Sequence, residues 1–306
     1  MINIIGKRKI WYSISGALVA ASLSLLFIWG LKFGIDFTGG ALLEVSYLGE
    51  RPGNEVVREK LAQFDLGNIS VAPIGEVGLL LKFKAVDEEM HKKISASLKE
   101  LVKPPEGVRL EAAYEEQAFE SIGPTIGAEL RNRSEQAIIF VLGAIILYVA
   151  WAFRKVSRPV KSWKYGTIAV IALFHDLIIP VGIFAFLGKF YGVEIDTLFV
   201  TAMLTVLGFS VHDTIVVFDR IRENLSRKGS TNFEATVNAS VNETIVRSIN
   251  TSLTALLVLL ATFFFGGESI KYFALVLILG IIFGTYSSIF IASPLLVSWY
   301  NWKRKK

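Results

Sequence analysis

Two stretches of the sequence set a histidine beside an aspartate inside an otherwise apolar run. These are His175-Asp176 within Gly166–Leu187 and His212-Asp213 within Thr197–Phe218. A guanidinium, Arg247, opens a third apolar run, Arg247–Phe265. Ionisable groups are costly in hydrocarbon unless they face protein, water or a partner, so they mark where chemistry would occur. Asp213 lies five residues before Phe218, hence roughly 8 Å inside that end of its run at 1.5 Å per residue. Arg247 opens the next run on the same side. A carboxylate and a guanidinium at similar depth can hold each other charged, and where water reaches them protonation of the acid controls the pairing.

Each group also has a plainer reading. Basic residues at span ends snorkel to the interface, which would account for Arg247. His175-Asp176 reads equally as a satisfied polar pair that pins two helices. Asp213 is harder to account for in this way, because only His212 among basic residues lies within one turn of it. Adjacent residues point to different helix faces, so neither pair is expected to present both groups to one ion. HExxH is also absent, and no metal site is expected. No GxxxxGK[ST] phosphate loop, GxGxxG fingerprint or nucleophile–base motif occurs. The absence of cysteine excludes disulfides, Cys-ligated zinc, iron–sulfur clusters and a thiol nucleophile. Neither a cofactor nor enzymatic activity is expected.

These residues need membrane helices to position them. Of 306 residues, 53% are hydrophobic and 19% charged, and the mean hydropathy is +0.52. The excess lies in runs of about 20 residues with almost no charge, enough to span a bilayer. An ordinary soluble enzyme is excluded, as is a disordered or collagen-like chain, since 25 Gly and 8 Pro show no period. Six spans follow: Ile10–Leu31, Gln136–Phe153, Gly166–Leu187, Thr197–Phe218, Arg247–Phe265 and Tyr272–Tyr300. The first is too long for a signal-peptide core and reads as an uncleaved anchor. Gly280, Gly284, Ser287, Ser288 and Ala292 in the last span predict close helix packing. The 219–248 segment mixes charges and reads as a solvated helix pair along the membrane surface.

The net charge of +5 does not call for nucleic acid, because basic residues collect in cytoplasmic segments. Lys7, Arg8 and Lys9 precede the first span, and Lys303 to Lys306 end the chain. Arg154, Lys155, Arg158, Lys161 and Lys164 fill the 154–165 loop without an acid. Both termini are therefore expected in the cytoplasm and residues 32–135 outside. Within 32–135 the pattern turns globular, with strands at Gly40–Leu48, Asn68–Ile74, Gly78–Lys84 and Val108–Tyr114. Helices are expected at Asn54–Asp65, with Val56, Val57, Leu61 and Phe64 on one side, and at Asp87–Lys103, capped by Asp87. The order βαββαβ is that of an α+β ferredoxin-like domain. The expected organisation is 1–31, cytoplasmic N-terminus and first helix; 32–135, extracytoplasmic domain and linker; and 136–306, a five-helix bundle with a cytoplasmic C-terminus.

Several stretches resemble the SecD/SecF family of export proteins. Gly34-Ile35-Asp36-Phe37-Thr38-Gly39-Gly40 is similar to its DFTGG signature, and Ile122-Gly123-Pro124 with Gly127, Glu129 and Leu130 to the segment entering the second span. Val211-His212-Asp213-Thr214-Ile215-Val216-Val217-Phe218-Asp219-Arg220-Ile221-Arg222-Glu223-Asn224 resembles the fourth-span motif of the SecF branch. Arg247 to Ser252 and Gly284 to Ala292 resemble its later spans. The resemblance implies an RND-like half that pairs with SecD beside the SecYEG channel in the prokaryotic cell membrane. There it would couple proton or sodium flow to movement of exported unfolded polypeptide, with YajC as a further partner. It also implies that Asp213 and Arg247 are proton-pathway residues. His212 departs from the asparagine common in the family. Two other classes share some features: an RND-type small-molecule exporter, with the same spans, and an intramembrane hydrolase, for which GxSG, HExxH and YD with GxGD are all missing.

The topology has a direct test, since any introduced cysteine is unique. Met90→Cys should react with a membrane-impermeant thiol reagent from the outer side only. Labelling solely from the cytoplasmic side would invert the scheme.

Overall fold

The computed structural model describes residues 1–306 except 103–108, 110–112, 153–159, 161, 229–231 and 305–306. The chain forms two compact units, Phe33–Ser134 and the remainder, Met1–Lys32 with Glu135–Lys306.

In the smaller unit a short helix α2 (Ile35–Thr38) leads into β1 (Gly40–Tyr47), α3 (Asn54–Leu61), β2 (Ser70–Ile74), β3 (Gly78–Phe83), α4 (Glu88–Lys99) and β4 (Tyr114–Ile122). The helix before it, α1 (Arg8–Trp29), belongs to the larger unit. The four strands form one antiparallel sheet in the order β2-β3-β1-β4. Alternation puts Ala41, Leu43, Val45 and Tyr47 of β1 on the buried face with Leu79, Leu81 and Phe83 of β3. Val57 and Leu61 of α3 and Ile94 and Leu98 of α4 join the same core. As expected, Asp87 caps α4, its carboxylate accepting from Met90 N at 2.9 Å. Burial pushes the Tyr114 hydroxyl up to about 12.

Two details differ from the sequence reading. Val56 is exposed, outside the apolar face of α3. Most of the expected strand Val108–Tyr114 lies outside the described residues, and β4 instead runs Tyr114–Ile122. That strand is an edge, and its carboxylates Glu115, Glu116 and Glu120 mask its β character in the sequence.

The larger unit is helical: α1, most of α5 (Pro124–Ala152), α6 (Ser162–Tyr191), α7 (Thr197–Lys228), α8 (Phe233–Phe265), α9 (Glu268–Ser287), a π turn at Ser288–Ala292, and α10 (Ser293–Arg304). Among the described residues six helices are long and apolar enough to cross a membrane, and the chain is a multi-pass membrane protein.

Several helices outrun the expected spans. The helix at 124–152 begins well before Gln136; α7 continues to Lys228, and α8 starts at Phe233 rather than Arg247. The charged 219–248 segment is therefore no separate surface pair. Its two arms prolong the spans and bury Val217, Ile221, Leu225, Phe233, Val237 and Val241 at four-residue spacing. Arg220 Nε donates to Glu243 Oε2 at 2.6 Å, and Asn224 Nδ2 to Ser240 Oγ at 2.9 Å.

The residues before α1 dock on the α8 arm. Ile4 and Ile5 are buried, and Asn238 Oδ1 accepts from their amides at 3.0 and 3.2 Å. Asn242 Oδ1 accepts from Ile2 N at 2.8 Å. Arg8 pairs with Glu234 at 2.7 Å. Sequence reading credited this segment only with its basic charge.

The small residues of the last span do set close contacts. A Cβ on Gly280 would lie 2.8 Å from Val206 Cβ, and one on Gly284 3.1 Å from Ser210 Cβ. On α6, a Cβ on Gly182 would lie 2.5 Å from Ser22 Cα of α1. Gly182→Ala should therefore force α1 and α6 apart and cost about 1–3 kcal/mol, whereas Gly16→Ala, into open space, should be neutral. Thermal unfolding in detergent measures both, and equal midpoints would contradict the packing.

Candidate functional site

Two carboxylates are buried where α7 faces α9. Asp176 of α6 is wholly enclosed and Asp213 of α7 is 3% exposed. Asp176 Oδ1 accepts from Nδ1 of His175 at 2.8 Å, while Oδ2 accepts from Ser210 Oγ of α7 and from Ser287 Oγ of α9 at 2.7 Å. Three side-chain donors from three helices thus satisfy one carboxylate, as burial demands. Although adjacent on the helix, the two side chains meet, as in the polar-pair reading of the sequence. The His175 ring turns back along α6 to reach Asp176, with Phe283 and Tyr286 of α9 beside it at ring-centroid distances of 6.4 and 5.9 Å.

One turn along α7 from Ser210, Asp213 Oδ2 accepts from Thr285 Oγ1 at 3.1 Å. Thr285 Oγ1 in turn shares a hydrogen bond with Ser252 Oγ of α8 at 2.5 Å. Ser248, one turn earlier on α8, is buried against the same carboxylate, yet its hydroxyl makes no hydrogen bond of good geometry. Ser287, expected from its spacing only to pack, also satisfies an acid, as do Ser210 and Thr285, which carry no such signal in the sequence. Their hydroxyl spacing on α9 precedes the π turn at Ser288–Ala292, a distortion common at functional sites.

The expected pairing of Asp213 with Arg247 is not formed in this structure. Arg247 is exposed on α8, and among the described residues it makes no ion pair. Ser248, its neighbour, takes the inward direction, and successive residues diverge by about 100° around a helix. His212 is likewise exposed. Among the described residues no group of three or more potential ligands could hold a metal ion.

The DFTGG stretch is a close-approach joint within the smaller unit. Asp36 lies in the first turn of α2, Phe37 is buried, and Thr38 Oγ1 donates to Gly34 O at 3.0 Å. Gly39 then adopts φ 74° and Gly40 φ 143°, conformations that side chains disfavour. A Cβ on Gly39 would lie 2.8 Å from Pro124 Cα, and one on Gly127 would lie 2.9 Å from Gly39 N. The two separated motifs thus meet as one contact.

Comparison with known proteins fits both features. The SecD/SecF C-terminal family (protein export membrane protein) matches residues 106–302, and the SecD/SecF GG motif matches 24–47. The chain belongs to the SecD/SecF family. It is 46% identical to the protein translocase subunit SecF of Thermobaculum terrenum, across 98% of this chain and 95% of that protein. The Synechocystis subunit of the same name is 36% identical over 98% and 94%. The crystal structure of SecDF, a translocon-associated membrane protein from Thermus thermophilus, superposes with TM-score 0.81 at 31% identity. The match covers 98% of this chain but 39% of that one. A SecDF structure in the super-membrane-facing form gives 0.68 at the same identity, again over 39% of its length. The chain thus spans well under half of the SecDF proteins it resembles.

Losing one donor to a buried carboxylate leaves the rest to compensate in hydrocarbon. Ser287→Ala should destabilise the chain by about 1–2 kcal/mol. Adding Ser210→Ala should cost more than the sum of the single changes, because both hydroxyls meet one oxygen. Thermal melts of the single and double variants measure this, and strict additivity near zero would show that Asp176 is held by other means.

Proposed function

We propose that the chain is the SecF subunit of a SecDF-type machine that assists SecYEG-dependent export, converting ion flow into movement of the exported polypeptide. The observation that carries the reading is Asp213, a titratable group enclosed by hydroxyls at the contact of three membrane helices in a chain of this family. The chain lacks nucleotide-binding motifs, so the work must come from ion movement or from a partner. One charge crossing 100 mV is worth about 2.3 kcal/mol, enough to bias a two-state rearrangement.

In this reading Asp213 takes up and releases the coupling proton, and Arg247 is the counter-charge it meets in another state of the cycle. Arg247 sits one residue from Ser248, which lines the Asp213 cage. A modest rotation of α8, or arrival of a polar partner surface, would bring the guanidinium toward the acid. His212 and the His175-Asp176 pair support the site. Chemistry here is ionic and conformational, with no catalysis and no cofactor.

SecD is the partner, and its spans cover the sparsely buried faces of α5 and α8, where only 6% and 11% of the apolar window is enclosed within this chain. YajC and the unfolded export substrate complete the set. The smaller unit, read as ferredoxin-like from its βαββαβ order and β2-β3-β1-β4 sheet, is extracytoplasmic, and both termini are cytoplasmic. The Lys/Arg asymmetry supports this orientation.

Asp213→Asn keeps size and hydrogen bonding but removes the titratable charge. It should leave assembly with SecD intact and abolish gradient-dependent stimulation of export. Arg247→Lys should retain charge but lose the planar fork, giving partial loss, and Arg247→Met should resemble Asp213→Asn. Completion of substrate translocation in vesicles, with and without a proton gradient, is the measurement. A wild-type gradient response in Asp213→Asn at equal abundance would remove Asp213 from the mechanism.

A further inference from the structure

The hydrogen bonding of the third-span pair leaves one valence open. His175 is 4% exposed and Asp176 wholly buried. Nδ1 of the ring and Oδ1 of Asp176 lie 2.8 Å apart; with Asp176 as a carboxylate, an acceptor only, the ring must give its Nδ1–H there, and Nε2 of the neutral ring then carries a bare lone pair. That nitrogen is buried and has no hydrogen-bond partner among the described residues. The acid is more than satisfied: besides the ring, it receives Ser210 and Ser287. A buried acceptor with nothing to accept from calls for an explanation, and here it belongs to the side chain best suited to bind a proton near neutral pH.

We propose that His175 and Asp176 form a second proton-binding station in this chain. A proton delivered by hydronium bonds to the Nε2 lone pair, giving an imidazolium whose Nδ1–H remains on the Asp176 carboxylate. Release returns the proton to water and restores the neutral ring, so no other bond is made or broken. The positive ring and the negative carboxylate form an internal pair, which lets the bundle carry the proton without an isolated charge.

The surroundings fit this task. Among the described residues, Tyr286 of α9 stacks on the His175 ring at 5.9 Å, and Asp213 lies one turn along α7 from Ser210, which donates to Asp176. The hydroxyl oxygen of Tyr286 accepts from Ser15 Oγ of α1 at 3.2 Å. Ser287, which holds Asp176, and Thr285, which holds Asp213, are two residues apart on α9. Any shift of α9 against α7 changes the donors of both acids together. The inference rests on the ion-driven reading of the chain and adds a residue pair to its path.

The test begins with the wild-type chain, labelled with 15N-histidine and combined with unlabelled SecD in lipid nanodiscs. The chain has 3 His, so His91→Gln and His212→Gln assign the remaining signal. His175 should show one protonated and one bare nitrogen at high pH, and two protonated nitrogens on acidification across the pH range in which the complex stays assembled. Asp176→Asn should abolish the preference for the Nδ1–H tautomer. A ring that keeps a single form throughout that range would overturn the proposal and leave a structural pin.

The second arm is export in vesicles. His175→Gln, at wild-type abundance in complex with SecD, should lose most of its gradient response while gradient-independent export persists. An unchanged response would also overturn the proposal. The two readings fail separately. An unprotonated ring beside an inactive Asp213→Asn sinks the second station alone, whereas a fully responsive Asp213→Asn sinks the ion-driven reading whatever the ring does.

Discussion

A carboxylate inside an apolar helix bundle must find its hydrogen-bond donors within the protein, and this requirement organises the larger unit. Asp176 and Asp213 are both met by hydroxyls of α9, and hydroxyls are short. They reach an acid on another helix only where the backbones approach closely. Gly280 and Gly284 provide that approach, lying against Val206 and Ser210 of α7. The small-residue stripe and the buried acids are therefore two sides of one constraint: without the glycines the hydroxyls fall short, and without the hydroxyls Asp176 keeps only the His175 ring and Asp213 loses the Thr285 hydroxyl. The seam between α7 and α9 thereby ties the hydrogen bonding of both acids to the packing of the two helices.

The charged arms extend that logic beyond the apolar spans. α7 and α8 continue as one paired unit through Arg220, Glu243, Asn224 and Ser240. The N-terminal residues clip onto the same α8 arm through Asn238 and Asn242. The helix that supplies Ser248 and Ser252 to the Asp213 cage is thus fixed at its far end by two sets of polar contacts. In the smaller unit, Gly39, Gly127 and Pro124 form a joint of comparable tightness, which accounts for why the signature stretch demands consecutive glycines.

Much of this was legible in the residues. Apolar run length marked all six membrane helices, and period-two alternation marked three of the four strands. Asp87 announced its own helix through the cap it makes. What escaped is equally specific. β4 is rich in glutamate because it is an edge, so its pattern looked like a linker. The spans looked shorter than their helices because the arms bury a narrow stripe of Val, Ile and Leu among charges, and hydropathy averages that stripe away. The acids Asp176 and Asp213 were visible, but not their hydroxyl partners, which come from helices distant in sequence. The N-terminal clip depends on asparagine side chains reaching backbone amides, which leaves no periodic trace.

The central claim is that Asp213 changes protonation as part of the working cycle, and infrared difference spectroscopy of the chain with SecD in lipid vesicles tests it most directly. Imposing an acid-outside gradient should produce a carboxylic-acid carbonyl band that is absent from Asp213→Asn. A gradient-induced spectrum without that band, or one in which the band survives in Asp213→Asn, would contradict the account.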